Sequence, residues 1–89
     1  MATFVISYDL NKPGQDYSSL FEAIKNLGNW WHCLDSTWVV VSNLNASQIR
    51  DALKARMDAS DALLVVQSAN IGAWHGFKDN CASWLKNNL

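Results

Sequence analysis

Apolar and polar positions change period several times along this chain, and each change marks an element. Thr3-Phe4-Val5-Ile6-Ser7-Tyr8-Asp9 is rich in β-branched and aromatic residues, as a strand requires, and it delivers a carboxylate at its carboxyl end. Leu10-Asn11-Lys12-Pro13-Gly14 is a turn-rich exit. Leu20, Ala23, Ile24 and Leu27 then recur at helical spacing, which predicts a helix over about residues 17–27. Asp16 or Ser19 is placed to cap it, Ser19 and Glu22 fit a capping box, and Gly28 stands where a left-handed C-cap is wanted.

Trp30–Leu34 and Thr37–Val41 are two aromatic and β-branched runs on either side of Asp35-Ser36, the pattern of a β-hairpin with a tight turn. Asn45 to Gln48 carries a second capping signal, and Ile49, Ala52, Leu53 and Met57 predict a helix over about 46–57. Asp58–Asp61 is a polar connector, and Ala62–Gln67 is a strand apolar on both faces. Ser68–Gly76 is a loop carrying Trp74 and His75, after which Asp79 can cap a last helix where Cys81, Trp84 and Leu85 share a face. The order β-α-β-β-α-β plus a helix predicts one α+β domain over 1–89 of the ferredoxin-like type. Its four-stranded antiparallel core spans about 3–67, with an added loop and helix over 68–89.

Two helices on one face leave the other face of such a sheet open, and an open face should alternate apolar with polar residues. These strands do not. Phe4, Ile6 and Tyr8 oppose Val5, and a tight hairpin sets Trp30, Leu34, Val39 and Val41 against Trp31, Cys33, Trp38 and Val40. Exposing apolar surface costs ~25 cal/mol per Å², so the last helix, a ligand or a second copy must cover it. One short helix is small for four strands, which favours a homodimer packed sheet to sheet.

The composition narrows the classes. A chain of 89 residues with 49% hydrophobic and 17% charged residues buries one core and is not disordered. No apolar run approaches the ~20 residues of a membrane-spanning helix, and Met1-Ala2-Thr3-Phe4 lacks the basic start of a secretory signal. Cys33 and Cys81 are far apart with no short motif, so they read as reduced thiols of a cytoplasmic protein. A net charge of −1 argues against binding held mainly by phosphates, although Arg50, Lys54 and Arg56 make a local basic cluster.

Val5-Ile6-Ser7-Tyr8-Asp9-Leu10 resembles the first strand of the CRISPR-associated Cas-two family, in which a hydrophobic run leads to Tyr-Asp-Leu or Tyr-Asp-Ile. Gly28 and Trp30 through Trp38 resemble that family's Gly-x-Trp hairpin. The segment Leu34-Asp35-Ser36-Thr37-Trp38 is similar to the hairpin of the small Cas-two-like proteins labelled SinR-like, and the VapD toxins share the fold. The likeness covers about residues 3–67 and departs from the family in the tail and in the missing basic surface. It implies a ferredoxin-like homodimer joined through sheet faces, in which Asp9 of each copy lies near the two-fold axis. That pair would hold Mg²⁺ or Mn²⁺ at a metal-dependent nuclease centre, or the dimer would serve as a scaffold for the CRISPR integrase.

Asp9 is therefore the candidate metal ligand and catalytic residue. One carboxylate per subunit can suffice for Mg²⁺, which keeps several waters. Its structural alternative is to accept backbone hydrogen bonds in the Asn11–Gly14 turn. Asp35 and Ser36 suit turn geometry, and His32, Cys33, His75 and Cys81 match no zinc spacing. His75 has the chemistry of an acid or base near neutrality. A different class, a non-catalytic dimeric module for a nucleotide-like ligand or a protein partner, would use Tyr8, Asn11, Trp38, Trp74 and His75 as pocket residues.

Overall fold

Main-chain pairing brings four strands together in the order β2-β3-β1-β4, all neighbours antiparallel, in a computed structural model that describes residues 1–89. In chain order the elements are β1 (Ala2–Asp9), α1 (Ser18–Lys25), β2 (Asn29–Trp31), β3 (Thr37–Ser42), α2 (Ala46–Lys54), β4 (Ala62–Gln67) and α3 (Asp79–Asn88). The fold is α+β, with one sheet and three helices. No helix is long and apolar enough to cross a membrane.

β1 is the centre of the sheet, pairing with β3 from Ala2↔Ser42 to Ser7↔Thr37 and with β4 from Phe4↔Gln67 to Asp9↔Ala62. Its period-two pattern sends Phe4, Ile6 and Tyr8 to one face. There they meet Trp38 and Val40 of β3, Leu20 and Ile24 of α1, and Ile49 and Leu53 of α2 in one buried core. α2 begins as its sequence requires: the Asn45 side chain accepts from the Gln48 N–H at 2.8 Å, and the Gln48 side chain accepts from the Asn45 N–H at 2.9 Å.

Other local expectations give way. The Ser19–Glu22 capping box does not form, because α1 already starts at Ser18; Asp16 instead accepts the Ser18 N–H at 2.9 Å. α2 stops at Lys54 rather than continuing to Met57, which still packs against the core from the following turn. Asp79 is the first residue of α3, not its cap, and places a negative charge in the first turn. Gly28 is required for a close approach: a side chain there would overlap the Val41 carbonyl oxygen.

The hairpin differs most. β2 is three residues long, and residues 32–36 form its connection to β3 in place of a two-residue turn. The looser loop shifts the register from the one expected. Trp30 pairs with Val40 and lies with Trp38 on the core face, while Trp31 pairs with Val39 on the second face. His32 folds back flat on the Trp38 indole, the ring centroids 3.7 Å apart and the planes 10° from parallel.

On the second face Trp31, Val39 and Leu85 form a smaller core, flanked by Val5, Phe77, Trp84 and Leu89. Thus α3 covers much of β2, β3 and β1. It is held there by the Trp31 Nε1–H donating to the Cys81 carbonyl at 3.1 Å, by Thr3 Oγ1–H donating to the Asn88 carbonyl at 2.6 Å, and by a Cys33–Cys81 disulfide. The cysteines are therefore not free thiols, and the ground they gave for a cytoplasmic location is withdrawn. Separated by 48 residues, they show no sequence motif; only the packing of α3 on the loop after β2 brings them together.

Candidate functional site

The sheet corner where β1 ends and β4 begins is the part that α3 leaves bare. The odd residues of β1 and the even residues of β4 point to the second face. Leu64 and Val66 are accordingly 60% and 47% exposed, and Asp9 is exposed beside them. A shallow hollow of about 190 Å³ lies at this corner, lined by Ser7, Tyr8, Asp9, Ala62, Leu63 and Leu64. Ser7 Oγ lies 3.2 Å from Thr37 Oγ1, so that pair satisfies itself.

The Asp9 carboxylate accepts no hydrogen bond and makes no ion pair. Its backbone carbonyl, rather than its side chain, meets the Asn11 amide, at 3.5 Å. The turn-closing work given to Asp9 in its structural reading falls to Asp61. Asp61 Oδ1 accepts the Asn11 backbone N–H at 2.7 Å and the Tyr17 hydroxyl at 2.8 Å, and Oδ2 accepts the Asp58 N–H at 2.8 Å. Asn11 Nδ2 also donates to the Ser60 carbonyl at 2.9 Å. The Asp58–Asp61 connector is thus a polar clamp that fixes the loop after β1 to the start of β4. The sequence signal was there, two aspartates and a serine in four residues, but the partners are ~50 residues away and only the fold reveals them.

Electrostatics follow from these contacts. Hydrogen bonds from the Ser60 hydroxyl and N–H, then the Lys12 ammonium at 3.2 Å, hold the Asp58 carboxyl down to about 2. Loss of water pushes the Asp61 carboxyl up, but the N–H groups of Asn11 and Asp58 and the Tyr17 hydroxyl outweigh it and leave it lowered. The same loss of water, with the Asp61 contact second, raises the Tyr17 phenol.

The remaining sequence candidates are dispersed. Tyr8 and Trp38 are buried in the core, where Trp38 Nε1–H donates to the Tyr8 oxygen at 3.0 Å, and Tyr8 also borders the hollow beside Asp9. Burial raises the Tyr8 phenol despite that bond. Asn11 belongs to the clamp. Trp74 and His75 do come together, at the rim of a cavity of about 360 Å³ between α3 and the second sheet face. Val5, Trp31, Val39 and Phe77 form part of its apolar wall. Cys33 and Cys81 are spent on each other, which removes them from any zinc set.

Nowhere do three or more His, Cys, Asp or Glu side chains converge as a metal site would need. Within one chain Asp9 offers a single carboxylate with no companion carboxylate, histidine or thiol beside it. No protein-family model, curated protein or solved structure matches this chain.

Proposed function

We propose that the chain works as a homodimer of Cas-two-like, ferredoxin-like design in nucleic-acid biology, with Asp9 at the seam between two copies. The observation that carries this reading is the bare corner. An unengaged carboxylate stands beside Leu64 and Val66 on the part of the second face that the tail leaves open. A second copy seated there across a two-fold axis covers the exposed leucine and valine and brings two Asp9 carboxylates toward each other. That arrangement supplies what one chain lacks, a pair of carboxylates able to hold Mg²⁺ or Mn²⁺ together with waters. Such a metal would neutralise a phosphate and supply the water for phosphodiester cleavage. The balanced charge and the absence of a second acid or base beside Asp9 make this a weak nuclease, or a scaffold without one.

The test is solution mass by light scattering, with and without Mg²⁺ or Mn²⁺, followed by cleavage assays on single- and double-stranded substrates. A mass of about twice the 10.0 kDa chain, tightened by metal in the parent but no longer tightened by metal in Asp9→Ala, supports the seam. A monomer at micromolar concentration, with or without metal, removes it.

The cavity beneath the tail favours a second reading, a non-catalytic module for a flat, nucleotide-like ligand. Its volume of about 360 Å³, its apolar walls and the Trp74 indole at its rim suit a stacked ring. Saturable binding of a nucleoside that survives chelation and Asp9→Ala, and is lost in Trp74→Ala, would select this reading over the nuclease.

A further inference from the structure

β4 is an outer strand with an open outer edge. The Ser68 N–H donates to the Thr3 carbonyl at 2.8 Å, so by antiparallel alternation Ala62, Leu64 and Val66 spend their main-chain groups on β1. Leu63, Val65 and Gln67 turn theirs outward. Three of the usual edge protections are missing: Ala-Leu-Leu-Val-Val-Gln holds no charge and no proline, and its pairing with β1 runs without a bulge.

Beside this edge, on the α2 side of the sheet, two hollows join. One of about 220 Å³ is lined by Ala46, Ser47, Arg50 and the β4 residues Leu63, Leu64 and Val65. The other, of about 400 Å³, continues past Arg50, Lys54, Met57 and Leu63 to Asp58 and Asp61. Arg50 and Leu63 border both, which makes them one groove. Its two cations stand one turn apart on α2. Arg50 engages Asp51 through Nε at 3.0 Å, leaving its terminal nitrogens, and Lys54 makes no ion pair. The aspartates at the far end are already matched to Lys12, Ser60, Asn11 and Tyr17.

We propose that this groove binds an extended acidic segment of another protein, which adds to β4 as a further strand. Its main chain meets the outward groups of Leu63, Val65 and Gln67, the mode of strand addition. Its alternate side chains on the α2 side carry carboxylates to Arg50 and Lys54. The spacing fits: residues i and i+2 of a strand are ~6.8 Å apart, and residues i and i+4 of a helix rise by ~6 Å. The intervening side chains fall on the second face beside Leu64 and Val66, which asks for apolar residues. The ligand is therefore a segment alternating acidic and apolar positions. A single strand of nucleic acid brings charge for Arg50 and Lys54 but no main-chain ladder for β4. This inference does not depend on the dimer proposed above.

The test uses the full chain and a fluorescein-labelled octapeptide alternating valine and glutamate, read by anisotropy at low salt. A valine–lysine octapeptide and an oligothymidylate serve as competitors. Saturable binding of the acidic peptide is expected, weakened about tenfold or more by Val65→Pro, which removes an outward N–H without costing the ladder to β1. The double reversal Arg50→Glu with Lys54→Glu, on the helix surface, should exchange preference from the glutamate to the lysine peptide by a similar factor of about ten. Absence of binding, equal binding of the lysine peptide, displacement by the oligothymidylate, or no exchange on charge reversal overturns the proposal. Solution mass of the same variants separates the two interfaces: a dimer lost in Val65→Pro would mean that a second copy owns this edge, and overturns it too. A dimer unchanged while peptide binding disappears supports it and leaves the seam at Asp9 standing.

Discussion

Cys33 lies in the loop after β2 and Cys81 in the first turn of α3, and the bond between them ties the last helix to the sheet face it covers. Trp31 reinforces the same junction by donating from its indole to the carbonyl of Cys81. A closed loop of 48 residues removes enough unfolded-state entropy for about 4 kcal/mol in the chain-entropy model. Replacing both cysteines by serine, or reducing the bond, should therefore lower the thermal midpoint by ten degrees or more, at roughly 4–8 °C per kcal/mol for a domain of this size. Calorimetry with and without reductant checks it. A midpoint unmoved by reduction would show that Trp31, Val39 and Leu85 hold α3 unaided.

The sequence patterns that were legible here are the ones set by local period. β1, β4 and α2 with its Asn45–Gln48 cap lie where alternation, apolar runs and capping chemistry put them. What was not legible depended on pairing between distant segments. The hairpin register turned on whether two or five residues link β2 to β3, and side-chain period alone cannot tell Trp30 facing Trp38 from Trp31 facing it. The disulfide and the Asp61 clamp likewise join residues far apart in the chain. For the candidate site, the exit of β1 with Asp9 was visible, and so was the surplus of apolar residues on the second face. The share of that face taken by α3 was underestimated, because Phe77 and Leu89, on either side of the helix, extend its cover.

Tyr8 and Trp38 form a buried pair whose polar atoms satisfy each other. An indole N–H is a donor only, so Tyr8→Phe keeps the packing but orphans it. We expect a loss of about 1–3 kcal/mol, the desolvation penalty of an unpaired buried donor, measured by urea unfolding with an unchanged slope. Neutral behaviour would place a water or an alternative acceptor beside Trp38 Nε1.

Acid should act through the clamp. Asp58 is held down to about 2, below the ordinary carboxylate range, by Ser60 and Lys12, and Asp61 is also lowered. A depressed folded value means stability that is fully present above the unfolded carboxylate pKa and is lost as pH falls through the folded one. Unfolding free energy should thus decline from about pH 4 towards pH 2 for Asp58. The Asp58→Asn variant should show a shallower decline over that window. A slope identical to that of the parent would assign the acid sensitivity to other carboxylates.

Asp9 separates structural from functional roles with little ambiguity, because its carboxylate has no partner within the chain. A surface carboxylate of this kind contributes within about ±0.5 kcal/mol, so Asp9→Ala should leave thermal stability nearly unchanged. Leu64→Glu should be equally mild for the monomer, since Leu64 is already 60% exposed. The two substitutions should diverge in association. Leu64→Glu puts a charge on the apolar part of the corner and should abolish the dimer outright, with or without metal. Asp9→Ala removes like-charge repulsion in metal-free buffer and should leave or strengthen the dimer there, while cancelling any tightening by Mg²⁺ or Mn²⁺. Sedimentation of both variants in chelator and in metal gives four masses. If Asp9→Ala still tightens on adding metal, the cation sits elsewhere and Asp9 loses its place at the seam. If Leu64→Glu dimerises as well as the parent, the corner is not where two copies meet.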